Sequence, residues 1–488
     1  MRHVTRRPGF IFCATLLCGL ALSQASFATT YYVDASAAAD TGSGTQAAPK
    51  KYIQSGVALM SSNGGDELVI APGTYSNAKD AISNPTAGKA GAYNVIRAAT
   101  DGTVIVKAGF TLGNSAHYLR FEGMKFDAQD TKVIEGSFVK MMRCSFKGGP
   151  ATGNNVTVQI GSNDATPGAS NILIEDSWVY GTGGRYKLLV YNSDKVVLRR
   201  VLVRHDGGWT YDGSNPQGGI TIYDSTNVEL QNGIVIDSMS GLNAFESNVY
   251  LVANGTTSQR AGNVSVRGTV VLGGGGNGIS WDGSAAYSSS LLEDVVVWGS
   301  SAGGIASNGS PNVGTITRAT VKSGGTGFAD WDGGSRLTIS SSIAYQNSNS
   351  ACESVSASSS VSFANGSNNC GTAFDPTSNG LKYILRVEPG SRLSTSGAGG
   401  GQAGANIVKR IGVSGTLYGE TGYDQVTNED LWPWPNETRL KSDLAESNSR
   451  GFSASSKTLT NYLWETLGNT SPVTGAVIPN PPTALAAQ

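Results

Sequence analysis

Four basic side chains cluster in the middle of the chain: Arg185 and Lys187 in "GGRYKLLVYNS", and Arg204 and His205 at the end of "VVLRRVLVRHD". Tyr191 closes the first run, and the similar run "GGITIYDS" brings Tyr223 to the matching place. A cation, a base and a hydroxyl acid are the groups needed for β-elimination beside a carboxylate. The cation makes the α-proton acidic, the base removes it, and the acid protonates the departing oxygen. Arg185 or Arg204 fits the first role, Lys187 or His205 the second, and Tyr191 or Tyr223 the third.

Carboxylates stand nearby in Asp224, Glu246 and Asp282. Three such oxygen donors suit Ca²⁺, which would replace the arginine in neutralising a substrate carboxylate. A pair of them, Asp224 with Glu246 or Asp282, would instead suit glycoside hydrolysis, which needs two carboxyls about 5 to 9.5 Å apart. Each residue also has a plainer role. Asp224, Asn192 and Glu246 precede serine at strand ends, where side chains of their type bond to the turn backbone. Lys187 before a strand is ordinarily solvated, and a single loop histidine such as His205 ordinarily carries no chemistry.

The elements that would position these groups are repeats. "NILIEDSWVYGTG" from Asn171 recurs as "KVVLRRVLVRHDG", "NVELQNGIVIDSMSG", "NVSVRGTVVLGGGG", "SLLEDVVVWGSSAG", "VGTITRATVKSGG" and "RLTISSSIAYQNS". A Gly-rich turn and a third short strand follow most of these units: "YKLLVYNS", "GGITIYDS", "SGLNAFES", "GNGISWDGS", "GGIASNGS", "TGFADWDGG". Three short strands per repeat, with no helical period between them, predict an all-β right-handed parallel β-helix, a solenoid whose rungs bury one another. A propeller would need four strands per blade, and an up-and-down barrel would need regular hairpin turns.

Alternation places Leu188, Val190, Ile220, Ile222, Leu242 and Ala244 inward. It places Tyr191, Tyr223 and Phe245 outward on successive rungs, with Asp282, Asn308 and Trp331 at the matching place further on. Such an aromatic ladder suits the apolar faces of sugar rings, although stacked rings also stabilise a solenoid without any ligand. The insertion "GGWTYDGSNPQ", with Trp209 and Tyr211, is expected to overhang it. Tyr191, Phe245, Trp209, Tyr211 and Trp331 are thus the expected sugar-binding residues. Arg199 and Arg200, at another corner, are expected to be a solvated pair.

The opening "YYVDAS…TGSGTQAAPKKYIQSGVALM…GDELVIAPGTY" resembles the N-terminal capping region of secreted right-handed parallel β-helix proteins, a group that includes pectate-lyase-like polysaccharide lyases. The likeness covers residues 31 to 80 by motif and extends to about 385 by repeat pattern. The segment itself reads as a short amphipathic capping helix with Ile53, Val57 and Leu59 or Met60 on one side; the resemblance implies the β-helix fold, and cleavage of an extracellular acidic polysaccharide is the expectation from the residues above. The Asp-Asp and Gly-His-Gly signatures of polygalacturonase-like hydrolases, the Asp-Pro-His-Glu run of alginate epimerases and the Arg-x-Pro-x-x-Arg run of pectate lyases are all missing. A non-catalytic glycan-binding, adhesion or matrix protein is the contrasting expectation.

The expected organisation is a signal peptide at 1–28, the β-helix at 29–393, and a Gly-rich stretch with an irregular C-terminal tail at 394–488. Arg2, Arg6 and Arg7 before an apolar run mark the signal, so the protein is expected to reach the periplasm or the exterior as a monomer. Removing those arginines leaves 32 basic against 36 acidic side chains. That balance gives no basic surface for nucleic acid, and no later segment is apolar enough for stable membrane insertion. "STSGAGGGQAGAN" reads as flexible. "SSKTLTNYLWETLGN" reads as an amphipathic helix with Leu459, Leu463, Trp464 and Leu467 on one face. Cys352 and Cys370, one repeat apart, suit a disulfide in an oxidising compartment, and Cys144 suits a buried thiol.

Overall fold

The computed structural model describes residues 28–162, 168–208, 218–239, 247–254, 261–285, 289–309, 314–334 and 336–473. Short strands repeat in threes and pair in parallel with their counterparts one rung away, which makes a three-faced parallel β-helix. Two faces merge into one 24-stranded sheet, because Ser290–Ser300 and Gly314–Ser323 run unbroken across the corner between them. The third face is a separate 11-stranded sheet from Ile82–Ser83 to Cys352–Glu353. Among the described residues no helix is long and apolar enough to cross a membrane.

Stacking explains the apolar alternation. On the third face Val158, Leu188, Ile220, Val249, Ile279, Ile305, Phe328 and Cys352 lie in one inward column, each at most 2% exposed. No rung could bury its own member of that column alone. The first helix, α1 (Ile53–Val57), buries Ile53 and Gly56, and Met60 just beyond it is also buried. Cys352 is bridged to Cys370, and Cys144 is a buried free thiol.

The corner between the two merged faces has its own chemistry. Arg143, Asp176, Arg200, Asn232, Asp294 and Arg318 all adopt left-handed backbone there, with φ between 49° and 54°. Aspartate and asparagine accept that conformation readily, whereas arginine does so at a cost. Each corner arginine has acidic partners: Arg143 pairs with Asp101 and Glu122, Arg200 with Glu175 and Asp176, and Arg318 with Glu293 and Asp294. Arg199 and Arg200 are therefore buried rather than solvated. Arg199 also donates to the Val413 and Tyr423 carbonyls, both at 2.8 Å, which ties it to the C-terminal region.

That region runs along the solenoid. Trp432, Trp434, Leu440, Leu444, Phe452, Leu459, Leu463 and Trp464 share one apolar cluster with Trp178, Tyr180, Leu202, Ile234 and Val296 of the β-helix. Two helices carry much of it, α2 (Glu437–Ser447) and α3 (Leu459–Trp464). The Trp178 indole N–H donates to Asp443 at 2.9 Å. The Gly-rich stretch is built into the structure, contrary to its flexible reading. Leu393, Ala403 and Ala405 are buried, and the N–H groups of Gly404 and Ala405 donate to the Ser341 carbonyl and the Thr320 hydroxyl.

Candidate functional site

The outer side of the third face carries a cavity of about 500 Å³. Its lining comes from five successive strands: Val158–Gly161, Tyr186–Tyr191, Gly218–Tyr223, Ser247–Val252 and Asn277–Asp282. Neighbouring strands lie about 4.8 Å apart, so the floor extends roughly 19 Å along the solenoid axis. Arg185, Tyr186, Leu189, Tyr191, Tyr223, Tyr250, Val252, Asn254 and Asp282 are among its walls.

Sequence alternation locates much of this surface. Tyr191 pairs in register with Tyr223, and the two rings meet edge to face with centroids 5.0 Å apart. The next rung differs from expectation. Its third strand is Ser247–Val252, not the preceding "SGLNAFES" run, so the column continues as Tyr223, Val252 and Asp282. Val249 and Leu251 fill the core, and Tyr250 and Val252 join the outer apolar cluster of Val156, Tyr186 and Leu189. Phe245, Glu246, Leu242 and Ala244 lie outside the described residues, as do Trp209 and Tyr211. Trp331 does stand two rungs beyond Asp282 and is 39% exposed, but it is not part of the cavity wall.

Arg185 is the cavity's cation. It donates to Asn154 Oδ1 at 2.7 Å and lies 5.4 Å from the Tyr186 ring centre. Among the described residues it makes no ion pair with a carboxylate. At the far end, Asp282 accepts hydrogen bonds from the Tyr250 hydroxyl and, at 2.6 Å, from the Gly283 N–H. Tyr223 feels both charges. Burial raises its pKa above the ordinary phenol value; the Asn254 side chain and Arg185 oppose that rise, and Asp224 and Asp282 add to it. The Asn254 amide donates to the Tyr223 oxygen.

Three expected catalytic groups lie elsewhere. Lys187 is wholly buried, with Nζ donating to the Gly183 carbonyl at 2.8 Å. The period of two breaks between Tyr186, which lines the outer cavity, and Leu188, which fills the core; Lys187 sits in the break. Burial, with nearby Lys132, lowers its pKa to about 7. Lys132 is similarly enclosed, donating to the Lys147 carbonyl at 2.8 Å, and it too is lowered to about 7 by burial. His205 is also fully buried. Its Nε2–H donates to the Gly184 carbonyl at 3.1 Å and its Nδ1 accepts from the Gly207 N–H at 2.9 Å. Burial first, then Lys187, holds it well below the usual imidazole range, so it is neutral with both nitrogens bonded to the backbone.

Arg204 belongs to the C-terminal contact. It donates to Ser453 Oγ and to the Leu444 and Asn448 carbonyls at 2.7 to 2.8 Å, and it pairs with buried Asp206 at 2.9 Å. Asp224 is wholly buried at the strand-end corner, where φ is 44° and Oδ1 accepts the Asn254 N–H at 2.8 Å. The carboxylate thus bonds to backbone, but to a residue 30 positions away on the next rung rather than to its own turn. Among the described residues no three His, Cys, Asp or Glu side chains are grouped to hold a metal. Tyr250 and Asn254 are among the cavity residues that sequence reasoning missed, with Asn154, Gln159 and Tyr186. The alternation of "SNVYLV" carries the signal for Tyr250, whereas Asn254 has none.

The chain matches no family model and no curated protein. Among solved structures it is similar to a mannuronic acid-specific polysaccharide family 6 lyase from human gut microbiota. That pair shares 13% identity with a TM-score of 0.39, over 72% of this chain and 84% of the other. An alginate lyase from Paenibacillus sp. strain FPU-7 shares 13% identity with a TM-score of 0.37, over 71% and 98%. The catalytic domain of a GH87 alpha-1,3-glucanase shares 9% identity with a TM-score of 0.38, over 63% of this chain, which spans 62% of that one.

Proposed function

We propose that the third-face cavity binds an acidic polysaccharide and cleaves it by β-elimination. The observation that carries this reading is one aromatic cleft with a cation at one end, Arg185, and a carboxylate at the other, Asp282, with Tyr223 under the influence of both. The tyrosine faces suit sugar rings, and a guanidinium suits a uronate carboxylate, which it can meet with two parallel N–H bonds. Neutralising that carboxylate stabilises the negative charge that develops when the adjacent C–H proton leaves. Tyr223 accepts from Asn254, so its own O–H is available to the departing glycosidic oxygen. Secretion accords with this role, and Ca²⁺ is not needed where Arg185 supplies the charge.

The test is incubation of the purified protein with a panel of uronic-acid polymers. Ultraviolet absorbance of the conjugated unsaturated product is followed alongside total reducing ends. β-Elimination predicts that both rise together. Reducing ends without the absorbance would mark hydrolysis, and neither signal would mark a binding or matrix protein.

A further inference from the structure

The buried Lys187 and His205 leave the reaction without the base that the sequence suggested. Two tyrosines on adjacent strands offer another source for it. Tyr223 and Tyr250 both face outward, one rung and two positions apart, and both line the cavity. Their hydroxyls have opposite hydrogen-bond partners. The Tyr223 oxygen accepts from an amide, Asn254 Nδ2, whereas the Tyr250 hydroxyl donates to a carboxylate, Asp282. A phenol bonded to an amide donor keeps its proton for another acceptor. A phenol bonded to a carboxylate can pass its proton to that carboxylate as its oxygen accepts another.

We propose that Tyr250, backed by Asp282, is the base of the elimination and that Tyr223 is its acid. This assignment rests on the β-elimination reading. Tyr250 Oη takes the proton from the carbon next to the uronate carboxylate while its own proton passes to Asp282. The electron pair of the broken C–H bond forms the carbon–carbon double bond, the C–O bond to the leaving sugar breaks, and Tyr223 protonates that oxygen. One proton is gained by Asp282 and one lost by Tyr223; exchange with water restores both. The Gly283 N–H on the other Asp282 oxygen holds the carboxylate in place.

Proton removal and leaving-group protonation separate experimentally. In D₂O, uncut polymer recovered from the protein is analysed by NMR for deuterium at the carbon beside the carboxylate, and cleavage is followed by ultraviolet absorbance. Tyr223→Phe is expected to cut at least about 100-fold more slowly, the usual scale for loss of a general acid, while still exchanging deuterium into uncut chains. Tyr250→Phe and the milder Asp282→Asn are expected to lose exchange and cleavage together, while uronate oligosaccharides still bind in calorimetry. Wild-type protein that cuts the polymer, with Tyr250→Phe cutting and exchanging as fast, would overturn the assignment and leave the lyase reading standing. Wild-type protein that neither exchanges nor cuts would overturn both.

Discussion

Tyr191 and Tyr223 pack edge to face across one rung with ring centroids 5.0 Å apart, both partly open to the cavity between Arg185 and Asp282. A ring pair of this geometry gives a sugar an apolar wall already fixed before binding. Tyr191 takes no part in the proton transfers. Tyr191→Ala is therefore expected to raise KM for a uronic-acid polymer about tenfold, the scale of one such aromatic contact, with kcat changed far less. Steady-state kinetics separates the two, and a loss confined to kcat would oppose the role given to Tyr191.

Asn254 moderates the effect of burial on the acidity of Tyr223. Its donated hydrogen bond favours the phenolate and offsets part of the upward push from burial. Asn254→Ala is expected to move the Tyr223 phenol further up by roughly half to one pH unit, the worth of one hydrogen bond. A titration of ¹³C-labelled tyrosine, with Tyr223→Phe to assign the resonance, reads this without any substrate. An unchanged or lower midpoint would contradict the contact.

The buried lysines make stability depend on pH in a definite direction. Lys187 and Lys132 fall from 10.5 to about 7 in the fold, chiefly through burial. Between those values the unfolded chain holds the proton and the folded chain releases it, so stability rises as pH increases from 7 toward 10.5 and is lowest below 7. The slope is at most about 1.4 kcal/mol per pH unit for each lysine. Urea unfolding of Lys187→Met should show a shallower rise than the parent over that window. Identical slopes would mean that Lys187 keeps its charge inside.

Arg204 joins the solenoid to the C-terminal segment. Among the described residues its removal would leave Asp206 with Arg450 as its ion-pair partner and would take one hydrogen bond each from the Leu444 and Asn448 carbonyls. Arg204→Ala is expected to cost about 3 kcal/mol or more, the penalty for breaking a buried pair. Chemical denaturation would show it, together with faster protease cleavage within 432–470. Stability within about 0.5 kcal/mol of the parent would contradict this role, because that is the scale of an ordinary surface substitution.

Strict alternation exposed the repeats in the sequence, because each rung must send every second residue into a shared core. The same pattern located Tyr191, Tyr223 and Asp282, and spacing by one repeat located the Cys352–Cys370 bridge. Alternation failed where its premise failed. Lys187 lies at a break in the period, so its ammonium turns inward to backbone carbonyls. His205 follows the regular strands in a turn where Gly207 of that turn and Gly184, 21 residues earlier, bond both ring nitrogens. Arg199 and Arg204 looked solvated or functional because their partners lie far along the chain, at Tyr423 and Ser453. Contacts of that separation leave no local pattern. Tyr250 was legible in principle, but the competing run "SGLNAFES" has the same alternation.

The central claim is that the cavity between Arg185 and Asp282 holds an acidic glycan through the Arg185 guanidinium. The most direct measurement is calorimetric titration of a uronate oligosaccharide, and of its carboxyl-reduced counterpart, into the parent protein and Arg185→Ala. The account predicts that the parent prefers the charged sugar by about tenfold or more, the worth of a charge-assisted hydrogen bond of roughly 1.5 to 3 kcal/mol. It also predicts that Arg185→Ala abolishes that preference while still binding the reduced sugar. Equal affinities for both sugars in the parent, or a preference untouched by Arg185→Ala, would contradict it.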